Sequence, residues 1–184
     1  LILLGRDLGT AVVVAGIVGG TLFIAGIPLR VFGILGLGIG TAFAILIFTS
    51  SNRMNRFSAF FDPFAEENYK GVGWQQAHSI MGLASGGPLG TGLGSSKQKW
   101  GNLPEAHTDF IFSVIGEEFG LLGTLAVLTL FGLLILGIFR VALRADNSFE
   151  RYACAGIGCW FAVQVILNIG TVISVIPVVG VTLP

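Results

Sequence analysis

Charge is what this sequence has least of. Lys, Arg, Asp and Glu together make up 11% of its 184 residues, against roughly 25% in a typical soluble domain. So few charges cannot clothe a water-facing surface. With 53% hydrophobic residues and a mean hydropathy of +0.86, the chain reads as an integral membrane protein. Its ten basic and ten acidic residues cancel, which leaves no basic field for nucleic acid and no acidic tail. Cysteine is nearly absent too. Cys154 and Cys159 stand about 140° apart on a helix, so they cannot bridge each other within it, and they report no redox compartment. No initiator methionine or basic segment precedes the first apolar run, and the chain is still apolar where it ends at Pro184. It is therefore expected to be a stretch of a larger polytopic protein.

What the chain has instead is long apolar segments rich in glycine, 28 in all. The expected fold is all-α: a polytopic transmembrane helix bundle with spans near residues 11–27, 31–49, 119–143 and 152–176. A large extracytoplasmic loop, about 50–118, carries short or re-entrant helices. Seventeen residues make about 26 Å of helix, just enough for a ~30 Å hydrocarbon core once the flanks are added. Asp7 is placed to cap the first of these helices. Gly16 and Gly20 in the first span, and Gly36 and Gly40 in the second, have the spacing that lets helices pack closely, although a chain so rich in glycine also shows that spacing by chance. Crossing count puts Arg30, Arg140, Arg144 and Arg151 on one side, which favours the cytoplasm, with the long loop outside; Arg53 and Arg56 temper the signal.

A loop of that length is expected to be functional. It opens with aromatic residues mixed with Arg53, Arg56 and Lys70, suited to lipid headgroups. A short amphipathic helix follows over 75–83, where His78 reads as a hydrogen-bonded packing residue. Then comes SGGPLGTGLGSSKQKWGNLPEAHTDFIFSVIGEEFG over 85–120, which gathers most of the chain's chemistry. Its glycines suit either close approach of amides to an anion or plain turns. Lys97 and Lys99 suit either a diphosphate or solvent. Thr108 and Asp109 stand where a proline-free, helix-like run to residue 143 begins, so Asp109 reads both as a helix cap and as an ionised general base. A continuous helix from Asp109 would put Glu117 about 80° and Glu118 about 180° from it. The run lacks the histidine spacing and thiolates of a zinc site, so no metal ligands are assigned.

PEAHTDFIF at 104–112 followed by GEEFGLLG strongly resembles the SEDS family (shape, elongation, division and sporulation), in the form of its cell-division, FtsW-type branch. DLGTA at 7–11, FDP at 61–63, ASGGPLGTGLG at 84–94, Gln98-Lys99 and NIGTVISVIPVVGVTLP at 168–184 follow in the family's order. His78, Ser95 and Ser174 depart from its usual residues.

The resemblance implies an inverting peptidoglycan glycosyltransferase that polymerises lipid II at the outer face of the bacterial cytoplasmic membrane, at the division septum. It also implies a class B penicillin-binding protein as transpeptidase partner, among other divisome membrane proteins. The family's essential aspartate falls on Asp109, the expected catalytic base. Gln98, Lys99, Glu105, His107 and Glu117, with Ser85, Gly86 and Gly87 on the glycine loop, are expected to meet the substrate. Lys99, or a divalent cation such as Mg2+, would neutralise the leaving diphosphate. A lipid II flippase working through Glu117, Gln164 and Asn168, or a non-catalytic division scaffold, is the alternative.

Overall fold

The computed structural model describes residues 8–48, 60–71, 73–101 and 103–184. Asp7, Arg53 and Arg56, and the cap and headgroup roles expected of them, lie outside the described residues. In chain order the elements are α1 (Leu8–Ile24), α2 (Leu29–Phe48), α3 (Glu66–Tyr69), α4 (Trp74–Gly86), a 3-10 turn (Gln98–Trp100), α5 (Ile111–Arg144) and α6 (Ser148–Val172). Among the described residues there is no strand. α5 and α6 are long and apolar enough to cross a membrane, while the apolar stretches Gly9–Ile24 and Leu29–Gly38 are shorter. Along α5, Leu122, Leu130, Leu133 and Leu136 are all more than half exposed. A soluble core helix would bury such a face; hydrocarbon would cover this one.

The chain forms two compact units. The first comprises the described residues up to 48 with Leu134–Val163. Here α1 lies against α6 through its glycines. A β-carbon on Gly16 would stand 2.7 Å from Val163 Cγ2, and one on Gly20 would collide with the Cys159 sulfur. Gly36 and Gly40 meet nothing, so the small-residue spacing is a packing face in α1 and not, among the described residues, in α2. The turn into α6 is set locally: Asn147 Oδ1 accepts the Phe149 amide at 3.0 Å, satisfying one free donor of the first turn. Cys154 and Cys159 are both free thiols.

The second unit comprises the described residues from 60 to Leu133 with Gln164–Pro184. Its core is Leu103, Ala106, Phe110, Phe112, Val114 and Val172, with Leu83, Val127, Leu128, Ile169 and Val178 packed around it. α4 and the first part of α5 run side by side in the same direction, close enough that a β-carbon on Gly86 would collide with the Gly116 carbonyl oxygen. Small hydroxyls tie three helices together. Buried Ser113 donates to the Ser79 carbonyl at 2.8 Å, and buried Ser79 donates to the Val172 carbonyl, at the end of α6, at 3.0 Å. Each bond gives a buried backbone acceptor a partner inside the protein. His78 packs as expected, stacked 3.9 Å from Trp74 with Nδ1 3.0 Å from the Trp74 carbonyl.

The proline-free run at 108–143 is not one helix. Residues 104–110 are turns, α5 starts at Ile111, and Gly120 (φ +66°, ψ −161°) breaks α5 into two helices. A break of this kind frees carbonyls on one side and amides on the other. The glycine-rich loop supplies their partners. Leu121 N donates to the Gly87 carbonyl at 2.9 Å and Leu122 N to that of Pro88, while the Glu117 and Glu118 carbonyls accept from the Thr91 and Gly92 amides at 2.9 and 3.0 Å. A run of helix-forming residues hides the kink because its cause is this loop, some thirty residues upstream.

Candidate functional site

Asp109 sits in the turn before α5, and the local sequence explains how it is held. Glu105 takes φ +55° and its carbonyl accepts the amides of Thr108 and Phe110 at 3.2 Å each, closing the turn. Leu103, Ala106 and Phe110 drop into the core, and Phe110 is fully buried. The residue beside Phe110 is thereby fixed at the core's edge: Asp109 is half-buried, while Glu105 and His107 are exposed.

The Asp109 backbone has a second anchor. Its carbonyl accepts Asn168 Nδ2 at 2.7 Å, and the same nitrogen donates to the Val181 carbonyl at 2.8 Å. The C-terminal segment passes close by, so that a β-carbon on Gly180 would lie 3.6 Å from Asp109 Oδ2.

Among the described residues no hydrogen bond reaches the Asp109 carboxylate. The cap reading is therefore corrected: α5 begins two residues later, and its first amides do not turn to this side chain. With no donor to stabilise the anion, burial raises the Asp109 pKa above its ordinary value, and the negative charge of Glu105 raises it further. Glu105 itself is engaged through Oε2, which accepts the Thr108 hydroxyl at 2.9 Å.

The other expected residues gather elsewhere. Glu117 is buried at 2% exposure, and its carboxylate accepts the Ser96 hydroxyl at 2.6 Å, the Lys97 amide at 3.0 Å and the Gln98 amide at 3.3 Å. Lys99 Nζ pairs with Glu118 Oε1 at 2.6 Å, so its charge is already neutralised inside the protein. Gln98 is buried beneath this loop. Ser85 is exposed and donates to the Gly82 carbonyl, whereas Gly86 and Gly87 serve helix packing and the kink.

The eight residues expected around Asp109 thus separate. Glu105 and His107 share its turn, while Lys99, Glu117 and Gly87 pin loops onto α5, Gln98 is buried, and Ser85 and Gly86 belong to α4 itself. The angles of 80° and 180° fail for the same reason, since Asp109 is not on the helix that carries Glu117 and Glu118. Sequence reasoning missed Asn168 as the holder of Asp109. Its signal was an amide inside an apolar span, which usually marks function. An apolar groove of about 620 Å³ runs beside the kink, lined by Leu83, Phe112, Gly116, Leu125, Leu128 and Ile169.

These bonds give Glu117 and Glu118 different weights. Glu117→Gln should lower stability by about 1–3 kcal/mol, because an amide cannot accept from all three donors and leaves some unpaired. Glu118→Gln should cost less, because its partner Lys99 is partly exposed and can turn to water, while the amide oxygen of Gln can still accept from the loop backbone. Thermal unfolding of the two purified variants checks this, and equal losses would contradict it.

The family model described as a cell cycle protein, FtsW/RodA/SpoVE, matches residues 1–184. The probable peptidoglycan glycosyltransferase FtsW of Thiomicrospira cyclica is 44% identical over 187 residues, covering 100% of this chain and 48% of the relative. That of Legionella pneumophila is 42% identical, covering 100% and 47%. A solved structure described as "Structural coordination of polymerization and crosslinking by a peptidoglycan synthase complex" superposes with a TM-score of 0.75 at 29% identity, over 100% of this chain and 50% of that one. The chain spans about half the length of the curated relatives it matches.

Proposed function

The chain belongs to the FtsW/RodA/SpoVE family of cell cycle proteins, and on that premise we propose that the protein is an inverting peptidoglycan glycosyltransferase that polymerises lipid II, with Asp109 as its general base. The observation that carries this reading is the Asp109 carboxylate: half-buried, held through its backbone, and accepting no hydrogen bond among the described residues. A base needs that free lone pair. Asp109 takes the proton from the acceptor sugar's 4-hydroxyl as that oxygen attacks the anomeric carbon of the donor. The bond from that carbon to the diphosphate breaks on the opposite face, undecaprenyl diphosphate leaves with the electron pair, and the configuration inverts.

The chain is a membrane protein, and a prenyl-linked substrate suits it. The apolar groove beside the kink fits a hydrocarbon tail, while the turn bearing Asp109 lies outside the spans, where a sugar stands above its lipid. We place this turn on the outer face of the bacterial cytoplasmic membrane, at the division septum. A class B penicillin-binding protein is the proposed crosslinking partner, in keeping with the joint polymerization and crosslinking named for the similar complex, and other divisome membrane proteins would adjoin it. Among the described residues no three His, Cys, Asp or Glu side chains gather as metal ligands. A divalent cation such as Mg2+, if bound with the substrate, would neutralise charge on the leaving diphosphate, and no step here runs through it. Lys99, paired with Glu118, is a poorer candidate for neutralising the diphosphate than its motif suggested.

The flippase alternative would need free polar groups inside the spans: Glu117 accepts three hydrogen bonds from its own loop and the Asn168 nitrogen ties two carbonyls, whereas among the described residues Gln164 Oε1 and Asn168 Oδ1 have no partner, so experiment must separate the two readings. The test is incubation of the complete purified protein, with its transpeptidase partner, in vesicles containing lipid II. Glycan strands are expected; lipid movement without strands would favour a flippase, and neither would favour a scaffold.

The pH profile follows from the direction of the Asp109 shift. As base it must be ionised, so the acid limb of polymerisation should lie above the ordinary carboxylate range. Glu105→Gln removes the like charge and should move the limb to lower pH, though not fully, because burial remains the larger cause. Stability runs the other way. Folding favours protonated Asp109, so its contribution is present at low pH and is lost as pH rises from the ordinary carboxylate range through the raised value. Initial rates measured across pH for both proteins check this, and an unmoved limb would remove Glu105 from the site.

A further inference from the structure

We propose that Asn168 is a positioning residue for Asp109: its side-chain amide binds the backbone carbonyls of Asp109 and Val181 together and thereby sets where the Asp109 carboxylate stands against the C-terminal segment. The inference rests on the reading of Asp109 as base. Asn168 is fully buried near the end of an apolar helix, and its nitrogen donates at 2.7 Å to Asp109 and at 2.8 Å to Val181. Both acceptors lie in segments without regular structure, the turn at 104–110 and the tail after α6. Neither carbonyl has a helical ladder to define its place. A primary amide carries two protons on one atom and serves both; a hydroxyl has one.

The carboxylate's own surroundings make the clamp matter. With no hydrogen bond on its oxygens among the described residues, Asp109 is located only through its backbone. That backbone is fixed by buried Phe110 on one side and Asn168 on the other. The clamp's second end, Val181, adjoins Gly180, whose backbone passes next to Asp109 Oδ2. Packing alone does not account for an asparagine here. Its Oδ1 is buried and, among the described residues, has no hydrogen-bond partner, a cost that an apolar side chain of the same shape would avoid. Of the titratable groups around Asp109, Glu105 on the same turn is the one whose charge reaches it; α6 contributes uncharged Asn168, and the tail uncharged Gly180 and Val181.

Asn168→Leu fills the same space and removes both donors, with wild type and Asp109→Asn as references in the complete purified protein. The expected result is a fall in kcat of about tenfold or more with KM for lipid II changed less than about threefold, since a misplaced base slows the chemical step more than it weakens binding. The acid limb should also move toward the ordinary carboxylate range as Asp109 gains water. If the leucine variant does not fold, Asn168→Ser, which stays uncharged and has a single, shorter donor that cannot serve both carbonyls, is read in the same way. A rate that falls only with the amount of folded protein, with the acid limb unmoved, overturns the proposal. Inactive Asp109→Asn beside unimpaired Asn168→Leu refutes this inference alone, whereas active Asp109→Asn refutes the reading of the base and this inference with it.

Discussion

Asp109→Asn is expected to lower lipid II polymerisation by roughly 10² or more in the complete protein while leaving it folded. Asparagine has nearly the same size and shape but cannot take a proton from the acceptor hydroxyl. Folding should survive, because among the described residues the carboxylate accepts no backbone amide, and the contacts that hold the turn come from the Asp109 carbonyl and from Phe110. Removal of a half-buried carboxylate whose pKa is raised should not weaken the fold. Asp109→Glu should recover little, since one methylene shifts the carboxylate by on the order of 1 Å and such a shift alone costs about 10². Polymerisation of lipid II alongside thermal unfolding measures both expectations. A stable asparagine variant that polymerises at near wild-type rate would sink the catalytic assignment, and no capping role would remain to replace it.

The second large effect should come from Gly120→Ala, at the kink of α5. At φ +66° and ψ −161° the backbone lies in a region essentially closed to residues with a β-carbon, at a cost of about 1–3 kcal/mol. That β-carbon would also collide with the Gly90 amide nitrogen and stand 2.8 Å from the Gly87 carbonyl oxygen. Both are backbone atoms of the loop that satisfies the broken ends of α5, so neither can step aside without freeing the Leu121 amide or the Gly86 carbonyl. The variant should therefore be poorly folded, with a Tm well below wild type. Gly132→Ala is the control. It lies within the helical part of α5 with nothing near its β-carbon and should stay within about 1 kcal/mol of wild type. Equal stability of the two variants would mean that Gly120 can adopt an ordinary helical conformation.

The helical class and the long apolar helices were legible because both are local. A scarcity of charge and long apolar runs favour helices that satisfy their own backbone in lipid, whatever lies next to them. Asp109 stood out through its motif, although the sequence put it at the start of a helix and the structure puts it in the turn before one, and His78 was legible as a packing residue through its place on an amphipathic helix. The kink was not. A glycine inside a helical run reads as a tolerated glycine unless the position of the distant loop that occupies its backbone is known.

The same division runs through the candidate site. The sequence by itself determined that Asp109, Glu105 and His107 would lie near one another, since Asp109 follows Glu105 by only four positions. Only the tertiary structure decided that Glu117 would turn to the Ser96–Gln98 backbone, that Lys99 would be neutralised by Glu118, and that Asn168 would hold an acceptor 59 residues away. The physical reason is that a buried polar group must find a partner, yet its residue type says only that a partner is needed. Which carbonyl or carboxylate fills that need depends on how the helices pack.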